Sequence, residues 1–287
     1  MLVAHKPLQD QLIEQESLKL LHNIQLYDTD LATWSSDLYT NQFRRWLLSS
    51  ESNKILGLEQ YANSAYCVGS TDGIQSFILR HIRNRRIRCS RQEFTLTKIV
   101  VAAGGGNLVY LEDAPIDTND AVVISYPFAG NGSEIPNYNN LLQDCTNLSV
   151  PVCLDATYFS ISQGLTFDFT YPCITDVVTS LSKSFVTQLR LGVRFTRHYI
   201  DDQIQVCNNI GYYNRISAFI GLQLMEKFSH DYIVSKYKSW QQFICIKYNL
   251  DPTPTLTLAI GNPIQHPEFV RENICRICIT DELRRLI

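Results

Sequence analysis

Four short runs constrain this chain most, because each is apolar on both faces: AVVISYP (121–127), SVPVCLD (149–155), DVVTSLS (176–182) and RLGVRFT (190–196). A strand with one wet face alternates apolar and polar side chains. A strand with no polar face needs cover above and below. Helical patterns at 136–146 and 201–240 lie between and after these runs and can supply that cover. TKIVVAAGGG adds a β-rich run over 98–103 that stops at glycines, and 107–114 reads as the helix after it. Upstream, 8–27 and 37–62 read as helical, and Ile74, Phe77, Ile78 and Ile82 fall on one helical face within 73–84. PTPTLTLAI and ICRICITDELRRLI near the end read as strand and strand-then-helix. The expected architecture is α/β. A three-layer αβα large domain with a mostly parallel sheet spans 60–215, and a small α+β domain with connecting helices comes from 1–59 and 216–287.

Composition excludes several classes. Apolar residues make up 45% and charged ones 18%, and the net charge is −3. That is ordinary globular material with no general attraction for nucleic acid or an anionic membrane. The run from Arg80 to Arg88 reads as a solvated helix end rather than a nucleic-acid surface. The longest apolar run is broken by three glycines, so no membrane span is expected. The N-terminus reads as an amphipathic helix without an export pattern, which points to a cytoplasmic protein whose nine cysteines are reduced. Cys275 and Cys278 have metal-ligand spacing but no second pair, and the histidines do not cluster, so no metal site is read.

In an open parallel sheet, ligands sit beyond the carboxyl ends of the strands. The run over 98–103 would deliver Gly104, Gly105, Gly106 and Asn107 there, with backbone N–H groups free to face an anion. The run ending at 154 delivers Asp155, then Tyr158. The next delivers Ser180, Ser182 and Lys183, and Arg190 follows. Singly, each has an ordinary reading: a surface lysine, a helix cap, a core tyrosine, a turn. Together they are the set that pyridoxal phosphate requires. Its aldehyde takes a lysine, its ring nitrogen a carboxylate, and its phosphate takes amides, hydroxyls and an arginine.

These motifs resemble the fold type I pyridoxal-phosphate enzymes, the class I/II aminotransferase-like family. Ser180-Leu-Ser-Lys183 followed by Arg190-Leu-Gly192 resembles the family's Schiff-base segment, and Asp155-Ala-Thr-Tyr158 after a strand resembles its ring-nitrogen segment. VVAAGGGN resembles the loop that cups the phosphate, and the stretch YCVGSTDGIQSFILRHIRNRRIRCSRQEF resembles the lead-in helix. The order and rough spacing agree over about residues 60–200. The resemblance implies that Lys183 carries the cofactor as a Schiff base and Asp155 keeps its ring protonated. Tyr158 would tune the phenolate oxygen. Gly105, Gly106, Asn107, Ser180, Ser182 and Arg190 would hold the phosphate.

Departures are visible. The span from Lys183 to Arg190 is one residue short and lacks the glycine before the arginine. The family's asparagine loop is replaced by Tyr126–Gly132, so its asparagine falls on Ala129 and Asn131 is the substitute. Between Asn107 and Asp155 a strand–helix unit is missing, leaving Phe128 or Tyr110 to stack on the ring. ENICRICITDEL resembles the small-domain segment that clamps a substrate carboxylate, which nominates Arg276, with Arg271 behind it. The implied function is a pyridoxal-phosphate-dependent enzyme acting on an α-amino acid or keto acid as a homodimer, foremost an aminotransferase. A lyase, decarboxylase or cyclase, or a non-catalytic binding protein on the same fold, is the alternative.

Overall fold

The computed structural model describes residues 7–24 and 35–286. Helix α1 (Gln11–Asn23) starts at Asp10, whose carboxylate accepts from the Leu12 and Ile13 N–H groups at 3.0 and 3.1 Å. Residues 25–27 of the expected helix lie outside the described residues. Helix α2 (Ser36–Leu48) buries Tyr39, Phe43, Trp46 and Leu47. The helix expected over 37–62 ends there. Asp231 accepts from the Glu51 and Ser52 N–H groups at 2.6 and 3.2 Å, so these amides are satisfied outside a helix. Strand β1 (Lys54–Leu56) follows.

The central sheet comprises β2 (Asn63–Val68), β3 (Arg86–Cys89), β4 (Leu108–Tyr110), β5 (Asp120–Ser125), β6 (Val152–Asp155), β8 (Ile174–Ser180) and β9 (Leu191–Thr196), while β7 (Thr166–Asp168) pairs with β1. Its strand order is β2-β9-β8-β6-β5-β3-β4. Neighbours from β8 to β4 run parallel. Strand β9 is antiparallel to both β8 and β2, so β2 points the same way as the parallel set. The carboxyl ends of β2, β3, β5, β6 and β8 therefore share one edge.

Both faces are covered, as the apolar runs require. In β5, Ala121 and Val123 face one cluster with Ile74, Phe77 and Ile78 of α3 (Ser70–His81) and Val100 and Val101 of α4 (Leu96–Ala103). Val122 and Ile124 face the larger cluster, with residues of α2, α5 (Tyr138–Asn147) and the helices after the sheet. This is the two-residue period of a strand buried on both sides. Helix α3 lies close: a Cβ added at Gly73 would stand 2.5 Å from Val178 Cγ1. The helical pattern over 201–240 resolves into α6 (Gln203–Asn209), α7 (Arg215–Lys227) and α8 (Tyr232–Tyr248). The chain ends in a small antiparallel sheet of β10 (Asp251–Pro252), β11 (Leu258–Ile260), β12 (Val270–Arg271) and β13 (Ile274–Cys278), in the order β10-β11-β13-β12, then α9 (Thr280–Arg285). No helix among the described residues is long and apolar enough to cross a membrane.

Three expectations are corrected. Residues 98–103 are helix, not strand: a short apolar run fits either, and here Thr97, Val100 and Val101 line one buried face. Residues 107–114 hold strand β4, not a helix. The arginine run is a helix end only in its first part, where Arg80 and His81 close α3; Arg86–Cys89 is the strand β3. Arg88 is wholly buried. It donates to Asp120 at 2.7 Å, to the Val109, Tyr110 and Pro115 carbonyls at 3.0–3.1 Å, and to the Ala114 carbonyl. A guanidinium this fully paired can sit inside a sheet.

Candidate active site

The shared carboxyl edge opens into a cavity of about 350 Å³, within the range of small-molecule sites. Asp155, Tyr158, Ser180, Ser182, Lys183, Arg190, Arg271 and Arg276 line it. Strand ends deliver the first three: β6 ends in Asp155, the next turn carries Tyr158, and β8 ends in Ser180. Arg276 arrives from β13 of the small sheet.

Lys183 has no hydrogen bond or ion pair among the described residues, and its Nζ stands 5.5 Å from the Tyr158 ring centroid. Burial pushes its amine down to about 8; Arg190 and Arg276 add to this, and Asp155 opposes it. Asp155 is buried, and burial raises its carboxyl although Thr157 donates to it through both hydroxyl and N–H. An acid in that state gains from a cation beside it. Burial likewise raises the Tyr158 phenol, with Arg276 opposing.

The anion-facing end is built differently from the sequence expectation. Gly69 (φ 75°) follows β2 and leads into the N-terminus of α3, with no side-chain cap there. Ser70 and Thr71 line the cavity. Arg190 donates to the Thr71 hydroxyl at 2.8 Å and to the Val68 carbonyl at 3.1 Å. Its guanidinium fills the space a side chain at residue 69 would need: an added Cβ would lie 2.8 Å from Arg190 Nη2. The shortened span from Lys183 closes through a 3₁₀ turn (Thr187–Leu189), and Arg190 adopts the left-handed conformation at φ 51°. That local twist replaces the missing glycine. Ser182 Oγ is buried without a hydrogen-bond partner among the described residues.

Gly105, Gly106 and Asn107 do not line the cavity. Because 96–103 is a helix descending from β3, their turn lies at the amino end of β4, on the opposite edge of the sheet. The phosphate role expected of them is therefore corrected. The middle is also not compressed, since β3, α4, β4 and β5 all lie between Thr71 and Asp155.

Phe128 is buried away from the cavity lining, and Tyr110 lies under the charges of Arg91 and Lys98, at 4.3 and 5.4 Å from its ring. Besides Tyr158, the aromatic that lines the cavity among the described residues is Phe94, half exposed. Sequence reading missed it because the arginines of β3 hid the strand whose end delivers it. Asn131 also stands elsewhere. Its Nδ2 donates to the Glu134 carbonyl and its Oδ1 accepts from the Ser133 N–H, each at 2.8 Å, so its own turn consumes it. Ala129 faces the cavity in that loop, and its carbonyl accepts from Arg276.

No protein-family model matches the sequence, and no curated protein matches it. Solved structures do. Tyrosine aminotransferase from Leishmania infantum is similar with a TM-score of 0.68 at 12% identity, over 97% of this chain and 90% of that one. Histidinol-phosphate aminotransferase from Clostridium acetobutylicum gives 0.65 at 14% identity, over 100% and 98%. A PLP-bound C-S lyase from Staphylococcus hominis gives 0.67 at 12% identity, over 96% and 86%. With its mostly parallel sheet and cavity-edge order, the chain has the fold type I, aminotransferase-like fold of pyridoxal-phosphate-dependent enzymes.

Proposed function

We propose that this chain is a pyridoxal-phosphate-dependent enzyme acting on an α-amino acid, foremost an aminotransferase. One observation carries the reading. A lysine with a depressed pKa, and with no hydrogen bond or ion pair among the described residues, stands in a cavity that also holds a buried carboxyl, an arginine and the start of a helix. The residues fit the cofactor on structural grounds. Among the described residues Ser182 Oγ has no hydrogen-bond partner and Asp155 makes no ion pair, while Arg190 and Thr71 meet on the cavity wall at the N-terminus of α3.

When bound, pyridoxal phosphate supplies a ring that draws electrons from a bond at the amino acid's Cα. Asp155 would hold a proton at the ring nitrogen. The N–H groups at the start of α3, with Ser70, Thr71, Ser180, Ser182 and Arg190, would hold the phosphate. Phe94 offers the ring to stack, and Tyr158 the phenol beside the cofactor's oxygen. Lys183 supplies the amine for the aldehyde. Freed from it and neutral near pH 8, Lys183 is the base that can move a proton at Cα. Arg276 keeps guanidinium donors beyond the one given to Ala129, enough for a substrate carboxylate, with Arg271 nearby. In this reading 60–215 binds the cofactor and the small sheet presents the substrate arginine. We also propose a homodimer, with the exposed Val68 and Phe94 beside the cavity available for its interface. Light scattering on the purified protein gives its mass directly, and a monomer would remove that part.

The test is colour. After pyridoxal phosphate is added and the excess removed by gel filtration, the wild type is expected to keep a yellow band that borohydride fixes covalently to the chain, and Lys183→Ala to show no such fixation. A wild type that takes up no cofactor would sink the proposal. Keto-acid detection over a panel of amino acids then separates transamination from elimination or decarboxylation.

A further inference from the structure

Glu93 has none of the roles above. It stands in the turn between β3 and α4, directly before Phe94, lines the cavity, and is 7% exposed. A carboxyl that deeply buried is costly unless it is well bonded, and no cation pairs with it among the described residues. Instead Ser125 N–H donates to Oε1 at 2.7 Å, the Ser125 hydroxyl lies 2.9 Å from both carboxyl oxygens, and the Phe94 N–H donates to Oε2 at 3.2 Å.

These contacts join separate parts of the cavity. Phe94 carries the half-exposed ring. Ser125 ends β5 in register with Asp155 on β6. Its Oγ also accepts from the Ala129 N–H at 2.8 Å, and the Ala129 carbonyl accepts from Arg276. One side chain thus ties the aromatic, the strand end beside Asp155, and the turn that holds the arginine. The titratable groups acting on or felt by Glu93 are Asp155 on β6, Tyr158 after it, and Cys89 at the end of β3. Burial, reinforced by the Asp155 charge, pushes the Glu93 carboxyl up to about 7. Its charge therefore changes across the neutral range, while its bonding partners stay in place.

We propose that Glu93 is a positioning residue of the cofactor site: it clamps Phe94 and the Ser125–Ala129 turn, and sets a second acid beside Asp155 toward the bound ring. This rests on the pyridoxal-phosphate reading. When Glu93 is neutral, the ring meets one carboxylate. When it is ionised, the ring meets two, and positive charge on the cofactor is held more firmly.

Glu93→Gln keeps the size and an acceptor oxygen but removes the charge. Relative to wild type at the same pH, its pyridoxal-phosphate affinity is expected to fall about 3- to 10-fold at pH 8 and less than about twofold at pH 6, as a charge removed several ångströms away in a buried site would give. The midpoint pH at which the Lys183-dependent yellow band changes position should also move down by about half a unit or more. Affinity equal to wild type at both pH values, or an equal loss at both with an unmoved midpoint, would overturn the proposal. If Glu93→Gln does not fold, Ser125→Ala still tests the clamp. It removes the hydroxyl and leaves the acid, so affinity should drop about 2- to 10-fold at both pH values; no drop overturns the clamp. Wild-type protein that binds no pyridoxal phosphate is a different failure, visible before any variant is made.

Discussion

Val68–Thr71 and Gly104–Asn107 are both glycine turns beside a helix. The first follows β2 and opens α3, so the positive end of a helix dipole, with Ser70 and Thr71, faces the cavity. The second closes α4 and leads into β4, so it presents a helix C-terminus at the other edge of the sheet. There the partial charge is negative and an anion is disfavoured. The richer glycine run is the wrong one. What a glycine turn can bind is set by the direction in which the chain crosses the sheet, not by how many glycines it has.

The contrast predicts that changes away from the cavity act on stability, and changes at the cavity edge act on cofactor binding. The largest effect should come from Arg88→Ala, at a residue inside the sheet and outside the cavity lining. It strips a wholly buried partner from Asp120 and should cost about 3 kcal/mol in chemical denaturation, even with Arg86 still 2.7 Å from that carboxylate. At the cavity edge, Arg190→Ala should weaken pyridoxal-phosphate binding by about 10- to 100-fold, from lost charge-assisted bonds. A fluorescence titration reads that directly, and unchanged affinity there would erase the distinction between the two turns. Cofactor uptake should also depend on pH through Lys183, whose amine is held down to about 8. Only the neutral amine attacks an aldehyde, so the stopped-flow rate should rise about tenfold per pH unit below 8 and level off above it. A smaller loss, about 2- to 10-fold in affinity, is expected of Thr71→Val, which removes one hydroxyl and keeps the shape. Smallest is Gly105→Ala. Its φ of 68° makes alanine cost about 1 kcal/mol of stability although nothing lies within 4 Å of the added Cβ, while cofactor affinity should not move.

The parts of the site that were legible share a local cause. Asp155, Ser180 and Lys183 each follow a strand whose residues are apolar on both faces, so both the strand and its end could be read from a few neighbours. Glu93 and Phe94 also follow a strand, but β3 reads Arg-Ile-Arg-Cys. Its arginines are satisfied by Asp120 and by carbonyls more than twenty residues away, partners that no local pattern displays. Asn131 looked available until the turn it belongs to was seen to use both ends of its amide. Phe128 and Phe94 are both aromatic; only packing put one in the core and the other on the cavity wall.

The sequence by itself determined a doubly covered, mostly parallel sheet, because strands without a polar face have no other stable environment. It also determined that a lysine, a carboxylate, a tyrosine and an arginine gather at the carboxyl edge, because each stands immediately beyond or near a readable strand end. Only the tertiary structure decided which glycine turn meets them, which aromatic joins them, and that Glu93 stands buried among them. Those depend on chain direction and on partners distant in sequence, where the free energy of pairing a buried charge outweighs local preference.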